Sequence, residues 1–219
     1  MSDTPPYDPS AEGAQMRFDG RMSYSDYLGL DMVLEAQKPR TDTHDEMLFI
    51  IQHQTSELWM RLVLHEMATA RRSIADGQLQ PAFKMLSRVA KIFEQLNNAW
   101  DVLRTMTPSE YTAFRDDLGQ SSGFQSWQYR LIEFTLGNRN HAMIQPHAHR
   151  PDIMAKLEAE LAQPSLYDVA IDALRTAGLL DVPAFQTRDV TQAHIFDEGV
   201  MLAWTAVYRD PHAHWALYE

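Results

Sequence analysis

Residues 43–72 read THDEMLFIIQHQTSELWMRLVLHEMATARR, and this stretch decides the fold. It contains neither proline nor glycine, and at about 100° per residue its apolar side chains fall on three sides of a helix. Thr43 to Glu46 has the form of a capping box, in which the threonine hydroxyl accepts an amide N–H and the glutamate reaches back. We therefore predict a long helix that begins near Thr43, ends near Arg72 and is surrounded by protein.

Further helical patterns lie on both sides of this stretch. Apolar residues spaced by three and four positions run through residues 83–103, which is typical of a bundle core or a subunit interface. Thr107 to Glu110 is a second capping box with proline at the first helical position, and it opens a short helix that Gly119 can end. Other helical periods cover residues 24–34, 124–136, 151–161, 164–180 and 191–208.

The pattern as a whole predicts one all-α domain built as a helical bundle. No alternating strand, internal repeat or interdomain linker is recognisable. Residues 1–16 are rich in Pro, Asp, Ser and Gly, so we predict a mobile tail there and a single domain over 17–219.

Composition excludes several classes of protein. The chain has 219 residues, of which 45% are hydrophobic and 22% charged, as in ordinary globular domains. Nineteen basic against thirty acidic residues give a net charge of -11, which disfavours binding to nucleic acid or anionic lipid. No apolar run is long enough to span a membrane, and the N-terminus lacks the features of a secretory signal. Because no secretory signal is recognisable, the expected compartment is the cytoplasm. The chain has no cysteine, which excludes disulfides, thiolate metal sites and thiol nucleophiles.

The sequence Gln52-His53-Gln54 places three polar residues inside the long apolar helix. They spread over about 200°, so they cannot all face water. A neutral imidazole at His53 could supply one acceptor or one donor to the N–H of a flat aromatic ligand. The alternative is a core histidine that hydrogen-bonds a neighbouring helix.

A second candidate group lies on the short helix and in the loop after it. Tyr111 and Arg115 are one turn apart, and Ser121, Ser122 and Gly123 follow. Arginine presents a planar fork for a carboxylate, and a Ser/Gly turn lets backbone amides approach a ligand. This set would suit the charged end of an amino acid. The alternative is a surface arginine paired with a nearby carboxylate: Asp116, Asp117 or Glu110.

Two His-Ala-His sequences suggest metal binding only weakly. They are His147 to His149 and His212 to His214, and alternate residues on a helix point about 200° apart. We expect both pairs to lie in solvated loops and to bind no metal. Phosphate-binding loops, G-x-S-x-G, H-E-x-x-H and EF-hand motifs are not found.

Two stretches resemble the signature sequences of the tryptophan 2,3-dioxygenase family. They are FIIQHQTSELW at residues 49–59 and PSEYTAFRDDLGQSSGFQS at residues 108–126, and GRMSYSDYL at residues 20–28 is also similar. The resemblance implies an all-α homotetramer built from intertwined dimers. It also implies haem b and the cleavage of the indole ring of L-tryptophan by O₂ to N-formyl-L-kynurenine, the first step of the kynurenine route.

The resemblance also implies roles for individual residues. His53 would be the catalytic residue that hydrogen-bonds the indole N–H, Phe49 would pack on the indole, and Arg115 with Tyr111 would hold the substrate carboxylate. Further substrate contacts are implied for Ile50, Ile51, Gln52, Ser122 and Gly123, and for an arm closing the neighbouring subunit's pocket, Tyr24, Tyr27 and Leu28. Haem contacts are implied for Trp100, Leu118, Ser122 and Gly123.

The family's proximal haem histidine belongs to a further C-terminal helix, which would match positions after Glu219. His194, His212 and His214 lie upstream of that position and do not match it. If the 219 residues are part of a longer protein, the activity belongs to that protein; if the ligand has been lost, haem binding and catalysis fail. The alternatives to this enzyme are a related haem-dependent oxygenase of another aromatic amino acid, a catalytically silent oligomerising helical protein, and a histidine-based nonhaem metal protein.

Overall fold

The computed structural model describes residues 7–180 and 189–218. Within these ranges the chain forms helices and turns and no strand, which confirms the all-α prediction. The chain divides into two compact units, Met1–Pro39 and Arg40–Glu219. Among the helices of the described ranges, none combines the length and the apolar character needed to cross a membrane.

The first unit contains a short 3-10 helix at Pro9–Glu12 and two short α-helices, α1 (Tyr24–Leu28) and α2 (Leu30–Leu34). The single helix predicted over 24–34 is wrong because Gly29, at φ 62°, adopts the left-handed conformation that ends α1. The predicted tail includes residues 1–6, which lie outside the described residues. Its mobility and the domain boundary at residue 17 stay predictions.

The second unit is built on two long helices, α3 (His44–Ala75) and α4 (Leu79–Leu103). Gly77, at φ 72°, lies in the turn between them. The two helices pack against each other around a core of buried side chains, which includes Met60, Val63, Met67, Ala70, Ala82, Val89 and Ile92. The apolar seam predicted for residues 83–103 therefore supplies part of the core.

The remaining helices pack on this pair or on one another. They are α5 (Pro108–Arg115), α6 (Trp127–Leu136), α7 (Pro151–Leu161), α8 (Leu166–Thr176), α9 (Glu198–Arg209) and α10 (Trp215–Tyr218). α5, α6 and α8 contact α3, and α7 packs on α6. The helices predicted over 124–136, 164–180 and 191–208 begin later than expected because the side chains of Ser126, Ser165 and Asp197 cap α6, α8 and α9.

The N-terminus of α3 is organised differently from the prediction. Thr43 is the N-cap but its side chain makes no capping hydrogen bond, so the capping box expected there is wrong. The carboxylate of Glu46 instead accepts the amides of Arg40 and Thr41, both at 2.8 Å, and the Thr41 hydroxyl at 2.7 Å. Glu46 is 1% exposed. Its carboxylate thus fixes the loop that leads into α3.

We expect Glu46→Gln to lower the melting temperature by roughly 4 °C or more at neutral pH, because a charged acceptor of three hydrogen bonds is lost. The amide of Arg40, and then Thr41, hold the pKa of Glu46 below its ordinary value although burial opposes this. A carboxyl group whose pKa is lowered by folding stabilises the folded state at pH values above its ordinary pKa. This stabilisation is lost as the pH falls through the lowered pKa. The difference between variant and wild type should therefore shrink below about pH 4.

Thermal unfolding followed by circular dichroism at several pH values measures this effect. Glu94→Gln is the matched control because Glu94 is an exposed partner of Lys91 on α4. Its melting temperature should stay within about 1 °C of wild type. A Glu46→Gln difference that does not depend on pH would contradict the role given to the carboxylate.

Two adjoining sides of α3 are partly open to solvent in the single chain. Met47, Ile51, Leu58 and Trp59 are 40%, 44%, 57% and 40% exposed, and we call these four residues the α3 outer flank. The prediction that protein surrounds α3 is therefore wrong for one copy of the chain. Exposed apolar side chains at helical spacing are typical of an interaction surface.

Candidate functional site

A cavity of about 1040 Å³ lies among α3, α4, α5, the loop after α5 and the first turn of α6. Its apolar wall is formed mainly by Met60, Phe93, Leu96, Trp100 and Leu103. The last four of these belong to the 83–103 seam, so the C-terminal half of that seam lines the cavity. Volumes of this size lie at the upper end for small-molecule sites.

His53 lies on the cavity wall with its hydrogen-bonding state determined by the helix. Its Nδ1 atom is 2.8 Å from the carbonyl oxygen of Phe49, one turn earlier on α3. Because a carbonyl oxygen only accepts, Nδ1 carries the proton and Nε2 of the neutral ring is an acceptor. The Phe49 ring lies 4.2 Å from the His53 ring, centroid to centroid. The neighbouring-helix bond considered as an alternative is therefore replaced by a bond within α3.

Arg115 lies at the end of α5 and lines the same cavity. Its Nη1 atom donates to the carbonyl oxygen of Gly119 at 2.9 Å, which orients the guanidinium. Within the described part of the chain Arg115 forms no ion pair with Asp116, Asp117 or Glu110, so the surface-pair alternative is not what the structure contains. Glu110 closes the predicted capping box instead, accepting the Thr107 amide at 2.6 Å.

Tyr111 and the loop at residues 121–126 complete this end of the cavity. The Tyr111 ring lies 5.9 Å from the Phe49 ring. In the loop, Ser122 caps a short 3-10 helix, Gly123–Gln125, by accepting the Phe124 amide at 3.3 Å. Ser122 and Gly123 both line the cavity. Small side chains here leave the backbone open to a bound molecule.

The cavity brings together most of the site residues suggested by the sequence. Its lining includes Phe49, Gln52, His53, Trp100, Tyr111, Arg115, Ser122 and Gly123. Ile50, Ile51 and Leu118 do not line it; Ile51 belongs to the α3 outer flank. Tyr24, Tyr27 and Leu28 lie on α1 in the first unit, where they are exposed. The roles implied for all these residues stay predictions.

Arg130 is a cavity residue that the sequence analysis missed. It is 7% exposed, its guanidinium lies 4.8 Å from the Phe124 ring centroid and 5.1 Å from that of Tyr129, and it pairs with Glu133. Its Nε atom is buried and has no hydrogen-bond partner among the described residues. A charged residue within the aromatic stretch 124–136 was the available signal, since an arginine is rarely buried without a specific partner.

Glu57, one turn after His53 on α3, also lies on the cavity wall. Gln128, which is buried on α6, donates from Nε2 to the Glu57 carbonyl oxygen at 2.9 Å and to its carboxylate at 2.8 Å. This pair ties α6 to the turn of α3 that follows His53. The pairing with Gln128 could not be predicted from the sequence, because the two residues are 71 positions apart along the chain.

The histidine pairs differ from the prediction at one position. His147 ends a 3-10 helix, His141–His147, and is 4% exposed, so the solvated-loop prediction is wrong for it. Burial, above all, lowers its pKa and favours the neutral ring. His149 and His212 are exposed. Among residues 7–180 and 189–218, no three His, Asp or Glu side chains converge as metal ligands would.

The fold and the cavity define a class: purely helical proteins with an aromatic-walled cavity that carries an imidazole acceptor and a guanidinium. A family model described as tryptophan 2,3-dioxygenase matches residues 9–206. The chain belongs to the tryptophan 2,3-dioxygenase family.

Individual relatives agree with this assignment. The chain is 63% identical over 213 residues to a tryptophan 2,3-dioxygenase of Bradyrhizobium diazoefficiens, covering 97% of this chain and 76% of the relative. It is 60% identical over 215 residues to the enzyme of that name from Ruegeria pomeroyi, covering 97% and 77%. The Polaromonas protein of the same name is 58% identical over 209 residues, covering 95% and 71%.

Proposed function

We propose that the chain acts as a tryptophan 2,3-dioxygenase, which opens the indole ring of L-tryptophan with O₂ to give N-formyl-L-kynurenine. The observation that carries this proposal is the pairing of two groups in one aromatic-walled cavity: the acceptor Nε2 of His53 and the guanidinium of Arg115. An aromatic amino acid with a ring N–H and a carboxylate has the complementary groups.

In this proposal the chain's own residues hold and orient the substrate. Arg115 and Tyr111 bind the carboxylate, His53 accepts the indole N–H, and Phe49 packs against the ring. Fixing both ends of the substrate limits its motion before the reaction. Holding reactants in the right geometry in this way can supply a large part of an enzyme's rate acceleration. Because the indole N–H is a very weak acid, His53 serves to hydrogen-bond and position it, with no need to remove the proton.

The cavity also fits the haem that the family resemblance implies. Its volume exceeds what one amino acid needs, its wall is largely apolar, and Arg130, which pairs with Glu133, has a buried Nε that no described residue accepts from. A large flat group with anionic substituents matches those features. Trp100, Ser122 and Gly123 are the cavity residues proposed to contact haem, and Leu118 is proposed from the resemblance alone. When bound, the haem supplies the activation of O₂, whose two atoms enter the product at C2 and C3 of the indole.

The α3 outer flank supports a proposal about assembly. Single exposed apolar side chains are common on protein surfaces, but here four lie close together on one helix. Covering them with another copy of the chain would remove their apolar area from water. We propose that copies of the chain associate, with the homotetramer implied by the resemblance as the expected state and Tyr24, Tyr27 and Leu28 closing a neighbour's pocket. The cytoplasm remains the proposed compartment.

Reconstitution with haemin tests the proposed function. We expect a Soret band that shifts when L-tryptophan is added. In a protein that also carries the proximal histidine implied by the resemblance, we expect a product containing both atoms of isotopically heavy O₂. L-Phenylalanine, which has no indole N–H, is the control and should leave the band unchanged. A band with no product from L-tryptophan would favour a silent binding protein. A product from a different aromatic amino acid would favour a related oxygenase.

A further inference from the structure

Phe114 lies behind the cavity wall and is not part of the cavity surface. It is 0% exposed, and it is the buried side chain of α5. Tyr111 and Arg115, three residues earlier and one residue later on the same helix, both line the cavity. The position of α5 on the rest of the protein therefore depends on how the Phe114 ring packs.

Three aromatic rings meet at this point. The Phe114 ring lies 5.6 Å from the Phe49 ring at 62°, and 5.5 Å from the Tyr111 ring at 88°. The Phe49 and Tyr111 rings are 5.9 Å apart. The two contacts of Phe114 are edge-to-face geometries of the kind that aromatic pairs prefer. The three rings form a nearly equilateral triangle that fixes α5 against α3.

The triangle links the two ends of the candidate site. On the α3 side, the Phe49 ring is followed by the His53 ring at 4.2 Å. On the α5 side, Arg115 is the residue next to Phe114, and its guanidinium is oriented by Gly119. The buried Phe114 ring thus lies at the contact between the helix that carries the acceptor and the helix that carries the guanidinium.

We propose that Phe114 is a positioning residue that sets the length of the amino acid this cavity accepts, by fixing the distance between the indole end and the carboxylate end. The inference rests on the proposed function, in which both ends of L-tryptophan are held. A packed interior relaxes only partly when a ring is removed, so a smaller side chain would shift or loosen α5 relative to α3. Misplacement by about 1 Å can cost up to about 100-fold in an oriented reaction.

A ligand that contacts only one end of the cavity distinguishes a loss of positioning from a general disruption of the binding site. The experiment measures Kd by calorimetry for L-tryptophan, which spans both ends, and for indole, which has no carboxylate. For Phe114→Leu we expect L-tryptophan binding to weaken about tenfold or more, with indole binding changed by less than about twofold. Phe114→Met also lacks the ring, so it should show the same pattern, but more weakly because its longer and more flexible side chain can fill part of the space that the ring leaves.

Phe134→Leu is the matched control, because Phe134 is equally buried but packs in a different cluster with Ile144 and Leu157. It should lower the melting temperature and leave the ratio of the two Kd values unchanged. Equal weakening of both ligands by Phe114→Leu, or no weakening of either, would overturn the inference. So would loss of the folded state in both Phe114 variants, since the role would then be structural.

The same data distinguish this inference from the proposed function. If the wild-type chain binds no L-tryptophan, the proposed function fails and the inference fails with it. If the wild type binds L-tryptophan but the Phe114 variants keep the wild-type ratio of Kd values, only the inference fails.

Discussion

Arg115→Ala should weaken L-tryptophan binding by about 10- to 100-fold, the largest effect on affinity that we expect from a single substitution. The reason is that a charge-assisted, two-pronged hydrogen bond to the substrate carboxylate contributes about 1.5–3 kcal/mol. Tryptamine has the same indole but no carboxylate, so its affinity should change little. Calorimetric titration of both ligands measures the effect.

Two further variants make this result specific. Arg115→Lys keeps the charge but loses the planar fork and the geometry of the bond to Gly119, and it should recover only part of the affinity. Arg104→Ala removes an exposed arginine that pairs with Asp101 and should have no measurable effect. Wild-type affinity for L-tryptophan in Arg115→Ala would remove Arg115 from the proposed site.

His53→Ala should lower kcat/KM for L-tryptophan by about 10- to 100-fold while the protein stays folded. The variant loses the acceptor Nε2, and the indole is then free to move in the plane of its ring. In 1-methyl-L-tryptophan a methyl group replaces the ring hydrogen that His53 would accept. The substitution should therefore affect this analogue much less than L-tryptophan. Steady-state turnover of the haem-loaded protein with both substrates is the measurement.

His65→Ala is the control for this comparison, since His65 is exposed on the same helix. Its kcat/KM should equal that of wild type, and its circular dichroism spectrum should match that of His53→Ala. A His53→Ala variant that turns over L-tryptophan at the full rate would end the assignment of His53 as the indole acceptor.

The sequence was sufficient to predict the long helices and the short helix α5. Local features of the sequence predict both long helices: residues 47–72 contain no proline or glycine, and apolar residues in 83–103 are spaced by three and four positions. The N-terminus of α3 was mispredicted because Glu46 had two sets of amides within reach. In the fold the Glu46 carboxylate accepts the amides of Arg40 and Thr41, and residues 43–46 alone do not indicate these hydrogen bonds.

The candidate site was predictable where one helix supplies the geometry. His53 was singled out because polar residues in an apolar helix must find partners, and Arg115 because of its one-turn spacing from Tyr111. Glu57 shares the face of α3 that carries Phe49 and His53, which its spacing indicates. Arg130 was missed because it enters the cavity through the packing of α6 against helices that are remote in sequence. The tautomer of His53 also required coordinates, since it depends on the 2.8 Å approach to the Phe49 carbonyl oxygen.

The two halves of helix α3 have different roles. Its C-terminal half carries Val63, Met67 and Ala70, all fully buried, whereas its N-terminal half carries Phe49 and His53 on the cavity wall. Residues 53–56 can therefore be varied to change the substrate range with little loss of thermal stability, whereas Phe49 also packs against Phe114. Libraries that randomise residues 63–70 should instead yield mainly insoluble protein, whatever their effect on chemistry.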